Sequence, residues 1–322
     1  MSKILLVDVD SRISNLALMK LSNHHKKNGD EVRLYDHRPT GRAMRKSVPL
    51  DLIGWPDEVL ASCVFSWNRE IAKAVSGAFL APKVTLSGQG VNYGRLSPEI
   101  DALTPDYSLY PNEHYAVGFC NRGCFRKCSF CSVPKLEGAI VPERFRHPSE
   151  WVPDGMSAAL LLDNEFADYL PETQAELIGW FQRAGVKYAL TQGYDLRILA
   201  RHPEYAQVLA AYKPWDTNFQ GRRIYCAWDF LGVELAVRRG VQALLDAGFR
   251  KGEITPYILI GFNTTHEQDE YRFNVLWREY GIRPYAMRYN ERRDDPWLNR
   301  FARFCNRPAF RNVEWSDFSR NL

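Results

Sequence analysis

Three cysteines, Cys124, Cys128 and Cys131, are spaced four and three residues apart in the run GFCNRGCFRKCSFCSVPKLEG, with Phe130 directly before the last and Cys120 just upstream. Four thiols in twelve residues, interleaved with Arg122, Arg126 and Lys127, suit a dry core poorly. Zinc prefers two pairs of closely spaced ligands, and here only Cys128 and Cys131 form a C-x2-C pair. An iron–sulfur cluster is the third reading, because thiolates spread along one flexible loop can reach separate corners of a cuboid, and three of them leave one iron open to a further ligand. Cys120, at the end of an apolar run, reads as a small strand residue. Cys63, Cys226 and Cys305 are isolated, so the seven cysteines form no disulfide framework and the expected setting is a reducing cytoplasm.

The elements that must position these thiols follow from hydrophobic periodicity. KILLVDVD and DEVRLYDH read as strands flanking the helix NLALMKLSNHHKK, and LASCVFSWN, the helical REIAKAVSGAFL and the strand KVTLSG continue the alternation. This predicts a small doubly wound domain over residues 1–110, ending in the polar DALTPDYSLYPNEH. The alternation then restarts with the strand-like runs HYAVGFC, SAALLLD, VKYALTQG, RRIYCAWD, TPYILIGF and IRPYAMRY. The helices between them include PETQAELIGWFQRAG, VELAVRRGVQALLDAG and THEQDEYRFNVLWREYG, with Gly185, Gly248 and Gly281 at their expected stops. The fold class expected is therefore α/β: a Rossmann-like N-terminal domain followed by a partial (β/α)6 TIM-type barrel over residues 111–290, with chemistry at the C-terminal strand ends. Residues 291–322 are expected to be an Arg-rich segment packed on the barrel.

Cys124, Cys128 and Cys131, with aromatic Phe130, resemble the signature of the radical S-adenosylmethionine (radical SAM) superfamily. RGCFRKCSFCSVP is most similar to its methylthiotransferase and cobalamin-domain branches. The resemblance implies a [4Fe-4S] cluster on the three thiols, S-adenosylmethionine chelated to the open iron, and Phe130 near its adenine. It further implies an electron donor of flavodoxin or ferredoxin type, reductive cleavage to a 5′-deoxyadenosyl radical, and hydrogen abstraction from a substrate the sequence does not identify.

The resemblance extends over roughly residues 112 to 290 and makes later strand ends candidate cofactor contacts. Asp163 and Asn164 in LLLDNEF occupy the place of a Gly-Gly-Glu type segment that holds the cofactor amino group, although helix capping serves them equally well. Gln192, Asp195 and Arg197 follow the third strand, where Arg197 suits either a bidentate carboxylate contact or a loop salt bridge. Asp229 suits ribose hydroxyls, and Ile260 and Gly261 match the segment whose backbone meets the adenine. Thr264 or Thr265 caps the next helix, with Glu267 or Gln268 in its first turn.

The N-terminal domain resembles cobalamin-binding domains but lacks the D-x-H-x-x-G loop, since DVDSRISNL follows the first strand and His24 and His25 lie within a helix. Cobalamin is therefore not expected, although the resemblance leaves it open. A second cluster would need three more cysteines there, and only Cys63 is present, which disfavours sulfur insertion into transfer RNA. SGQGVNYG reads as a turn or as a close backbone approach to a ligand.

The net charge of +4 names no partner. Its distribution is more informative: Arg283, Arg288, Arg292, Arg293, Arg300, Arg303, Arg307 and Arg311 fall in one lysine-free stretch with Trp297, Phe301 and Phe304 at helical spacing. Arginine forks among aromatics suit nucleic acid, and a solvated face paired with Glu291, Asp294 and Asp295 is the plainer reading. No run approaches the roughly 20 apolar residues of a membrane span, and MSKILLVDVD has no signal-peptide pattern. The rival to a radical enzyme is a non-catalytic zinc-binding nucleic-acid module.

Overall fold

The computed structural model describes residues 1–39, 47–289, 292, 294–307 and 313–320. The chain divides into two compact units, Met1–Val117 and Gly118–Leu322. The first is built on a four-stranded parallel sheet of β1 (Lys3–Asp8), β2 (Glu31–Asp36), β3 (Glu58–Ser62) and β4 (Lys83–Ser87), in the order β2-β1-β3-β4. β1 is central, and its Leu5, Leu6 and Val7 are wholly buried, as expected of a parallel strand covered on both faces. The helix Leu16–Lys27 starts at Asn15, whose side chain accepts from Leu18 N, and it turns Leu18 and Met19 inward. His24 and His25 lie in its last turn.

β3 is shorter than the apolar run LASCVFSWN suggests. The reason is Asp10, whose carboxylate accepts from Val64 N at 2.7 Å and Phe65 N at 3.0 Å. These donors are thereby taken from the ladder, and the chain turns through a short 3-10 segment at Ser66–Asn68.

From Ala116 onward the chain forms two three-stranded sheets: β5 (Ala116–Gly118), β6 (Ala158–Leu161) and β7 (Lys187–Leu190) in that order, then β8 (Ile224–Trp228), β9 (Ile254–Ile260) and β10 (Tyr285–Arg288). The pairings β6 with β7, β8 with β9 and β9 with β10 are parallel. A parallel bridge between Tyr194 and Cys226, with Tyr194 N donating to Tyr225 O at 2.9 Å, joins the segment after β7 to β8. All four residues of β6 are buried, and the helix Pro171–Arg183 packs Leu177, Ile178 and Phe181 inward. Gly185, Gly248 and Gly281 all take positive φ at the helix stops where their positions predict it. The helix expected over THEQDEYRFNVLWREYG is α-helical only over His266–Asn274 and continues as a π turn, with Tyr280 N reaching back to Val275 O. Thr265 is its N-cap and exchanges hydrogen bonds with Gln268.

The helix Pro296–Asn306 buries Leu298, Phe301, Phe304 and Cys305, and Trp297 stacks on Phe301 at 4.7 Å. Several arginines of this end are engaged within the chain. Arg283 donates to Asn306 O, Arg288 to Asn299, Arg292 to Asp295 and Arg300 to Ser319 O. Arg303 and Arg307 are exposed, whereas Glu291, Arg293 and Arg311 lie outside the described residues. Among the described residues no helix is long and apolar enough to cross a membrane.

One buried ion pair ties the second sheet to its helix. Arg272 and Asp269 are both wholly buried and bonded at 2.6 Å. Arg272 also donates to Trp228 O at 2.6 Å and to Leu259 O, while Asp269 accepts from Gly261 N at 2.9 Å. Arg272→Ala would strand a buried carboxylate and two carbonyls, so urea unfolding should show a loss of about 3–5 kcal/mol. A loss below about 1 kcal/mol would mean that the pair does not organise these strand ends.

Candidate functional site

The loop after β5 carries the signature thiols, and its backbone is held by carboxylates and amides from the end of β6. Asp163 is buried and accepts from Cys120 N at 3.0 Å and Asn121 N at 3.1 Å, and from the hydroxyl of Tyr169. Asn164 Oδ1 accepts from Gly123 N at 2.8 Å, and Asp168 from Phe125 N at 3.1 Å. Gly123 has φ of +105°, and a Cβ there would lie 2.6 Å from the backbone of Ala139. This position needs glycine on both counts. Arg126, between the first two thiols, forms an ion pair with Asp195 beyond β7.

Cys124, Cys128 and Cys131 are partly exposed, in contrast to Cys63, Cys120, Cys226 and Cys305, which are buried. Burial pushes the Cys124 thiol up to about 12, with the carboxylates Asp168 and Glu165 adding to it and the N–H of Arg126 opposing it. The Cys131 thiol is raised by the same cause, again against a backbone N–H, with Cys128 and Asp229 as charged neighbours. Arg126 N and Val133 N each lie 3.4 Å from a signature sulfur, Cys124 and Cys131 respectively, as backbone donors. Such bonds stabilise thiolates and tune any metal they hold.

The structure brings several sequence candidates to the same edge. Phe130 meets Phe262, next to Gly261, edge-on at 5.3 Å, and Phe262 meets Tyr289 at 4.9 Å. Ile260 is wholly buried and accepts from Tyr289 N. Asp229 lies just past β8 and receives no hydrogen bond from any described residue; burial raises its carboxyl to about 6, against the pull of Arg272 and Arg197. Arg197 forks onto Asp195 at 2.8 and 2.9 Å, and Asp195 also caps the helix Leu196–Arg201. Both partners are therefore already engaged, as in the loop salt bridge their spacing allowed. Gln192 is exposed and stands apart from this network.

Sequence reasoning missed Arg126, Glu165, Asp168 and Tyr169. The signal was the run DNEFAD, three carboxylates in six residues directly after a buried strand. Glu165 is buried and accepts from Ala167 N at 3.0 Å and Asp195 N at 3.3 Å.

The donor set fits an iron–sulfur cluster. Three thiols share one partly exposed loop, two of them with a backbone donor, and Arg126 Nη2 and Asp168 Oδ1 of the same site are buried with no hydrogen-bond partner among the described residues. Among the described residues, no three His, Cys, Asp or Glu side chains converge as they would around a single ion.

Burial, with Asp195 as the next cause, raises the Glu165 carboxyl from 4.5 to about 8. A raised folded value makes its contribution to stability fully present below about pH 4.5 and lost as pH rises through 8. Glu165→Gln should therefore be more stable than the parent at pH 9 and gain nothing at pH 4. The ceiling is about 5 kcal/mol, from about 1.36 kcal/mol for each pH unit between the two values. Chemical denaturation at the two pH values checks this, and an equal effect at both would contradict it.

No protein-family model matches the chain. Curated relatives do. The chain is 27% identical over 158 residues, 48% of its own length and 32% of the relative's, to a ribosomal protein uS12 methylthiotransferase RimO from Rhodopseudomonas palustris strain BisA53. Another from Bradyrhizobium sp. strain BTAi1 matches at 24% over 170 residues, 52% of this chain and 32% of the relative. A shorter match, 36% over 67 residues, 21% of this chain and 15% of the relative, is to a protein of the same name from Thermus thermophilus. The matched segments thus cover a third or less of these relatives. Taken with the thiol loop and the strand ends that hold it, this kinship supports the radical S-adenosylmethionine superfamily and enzyme chemistry of that class.

Proposed function

We propose that Cys124, Cys128 and Cys131 hold a [4Fe-4S] cluster and that the strand ends beside them hold S-adenosylmethionine, as in a radical enzyme that abstracts hydrogen from its substrate. The observation that carries this reading is the anchoring of the partly exposed thiol loop to the ends of β6, β7 and β9 through Asp163, Asn164, Arg126 and Phe130. We read the two three-stranded sheets as a partial (β/α)6 barrel and the first unit as a Rossmann-like domain, with the chemistry at the C-terminal strand ends.

Held by Cys124, Cys128 and Cys131, a cluster would supply the one-electron reduction by which radical enzymes of this kind cleave S-adenosylmethionine. The chain's own residues do the rest. Asp163 and Asn164 fix the loop backbone, so that the thiols are presented without local reorganisation. Asp229, with its acceptors open, takes ribose hydroxyls. Phe130 and Phe262, with Ile260 and Gly261, form an apolar wall for adenine and exclude water from the reacting groups. Asp195 and Arg197 line the same edge as a fixed ion pair, and Gln192 adds an exposed amide. The electron comes from a flavodoxin or ferredoxin type donor in the cytoplasm.

Methylthio transfer to a ribosomal protein is the activity in the relatives' name, and their partial match carries only the radical chemistry into this proposal. The engagement of Arg283, Arg288, Arg292 and Arg300 within the chain favours a solvated, packed C-terminal segment over a nucleic-acid surface.

Iron and sulfide analysis of anaerobically reconstituted protein tests the ligand set. The parent should bind about four irons per chain. Cys124→Ala, Cys128→Ala and Cys131→Ala should each lose the cluster's absorbance, whereas Cys120→Ala and Cys226→Ala should keep it. Loss of iron in a folded Cys120→Ala variant would overturn the assignment. Stoichiometric zinc, with no iron uptake by the parent, would favour the zinc module instead.

A further inference from the structure

The first unit holds a cavity of about 700 Å³ at the C-terminal edge of its sheet. It is lined by the loops after β1 (Arg12), β2 (Arg38) and β3 (Phe65, Trp67 and Asn68), together with Glu113. In the strand order β2-β1-β3-β4 the chain leaves β1 for β2 on one side and then crosses to β3 on the other. The crevice between those diverging connections is a topological switch point, where open parallel sheets bind their ligands. Its volume lies within the roughly 300–1,000 Å³ of small-molecule sites.

The lining specifies a ligand class. Phe65 and Trp67 stack at 4.6 Å with planes 21° apart, and Trp67 is 41% exposed. Arg12 lies over the Phe65 ring at 5.6 Å. This aromatic loop is held rigid from below, because buried Asp10 accepts from Val64 N, Phe65 N and Asn68 Nδ2. With Nδ2 so committed, Asn68 offers its carbonyl oxygen. Glu113, 30% exposed, is bonded through Oε1 to Arg38 at 3.4 Å and retains acceptor capacity. The carboxylates of Asp10, Asp36 and Glu113 outnumber the guanidinium groups of Arg12 and Arg38 by one, which disfavours a phosphorylated ligand.

We propose that this cavity binds an unphosphorylated nucleoside, its base stacked on the Trp67–Phe65 pair and its sugar hydroxyls donating to Glu113 and Asn68. Stacking on an aromatic platform tolerates any base, so the site should select for the sugar and against phosphate more than for base identity. The proposal is independent of the cluster, because every residue it uses lies in the first unit.

Isothermal titration of the full chain with adenosine, guanosine, AMP and hydroxocobalamin tests it, with the parent, Trp67→Ala, Trp67→Phe and Glu113→Gln compared by circular dichroism for folding. Adenosine and guanosine should bind within about tenfold of each other, and AMP at least about tenfold more weakly. Trp67→Ala should weaken adenosine by about tenfold or more, in keeping with the loss of one stacked base. Trp67→Phe should largely restore binding, and Glu113→Gln should weaken it severalfold. Asp229→Asn controls for occupancy of the second unit. Each of these results would overturn the proposal: no adenosine binding at millimolar concentration, AMP binding as tightly as adenosine, or binding lost in Asp229→Asn and kept in Trp67→Ala. Tight hydroxocobalamin binding that Trp67→Ala leaves unchanged would assign the domain to a different ligand and likewise overturn it.

Discussion

The buried carboxylate of Asp163 is the constraint on which the thiol loop depends. It lies past the end of β6 and takes the N–H groups of Cys120 and Asn121 as well as the Tyr169 hydroxyl. Burial raises its pKa even though these donors pull the other way, so ionising the group is costly and the bonds are its compensation. A loop of polar, basic residues that would otherwise wander is thereby fixed at its root, with Asn164, Asp168 and Asp195 fixing it at three later points. Each of those anchors falls just beyond a strand, so the sheet sets where the thiols stand.

The same arrangement explains why three of the seven cysteines differ from the rest. Cys120, Cys226 and Cys305 sit in apolar packing and are held protonated by burial. Cys124, Cys128 and Cys131 are partly exposed, and Cys124 and Cys131 each have a backbone N–H aimed at the sulfur. In the first unit a related device serves another end. Asp10 spends its carboxylate on the loop after β3 and holds an aromatic pair at the rim of a cavity.

Much of this was legible in the sequence because it rests on local signals. The alternation of apolar runs located the strands, glycines marked the helix stops, and the spacing of Cys124, Cys128 and Cys131 with Phe130 marked out a partly exposed thiol loop at the strand ends. What the sequence concealed depends on contacts between distant positions. Nothing local distinguishes Arg126 from its basic neighbours, yet it reaches Asp195, 69 residues away. Nothing in THEQDEYRFN marks Asp269 and Arg272 as a wholly buried pair rather than surface charges three apart. The shortening of β3 likewise follows from Asp10, more than fifty residues earlier, taking two of its backbone donors. The arginine-rich end shows the converse: a compositional signal suggestive of nucleic acid resolves largely into intramolecular bonds once the chain is folded.

The most direct test of the account is anaerobic incubation of the reconstituted protein with dithionite and S-adenosylmethionine, followed by chromatography of the small molecules. The account predicts methionine and 5′-deoxyadenosine in equal amounts from the parent and neither from Cys128→Ala. An iron-loaded parent that leaves S-adenosylmethionine intact, or a Cys128→Ala variant that cleaves it as fast as the parent, would contradict it.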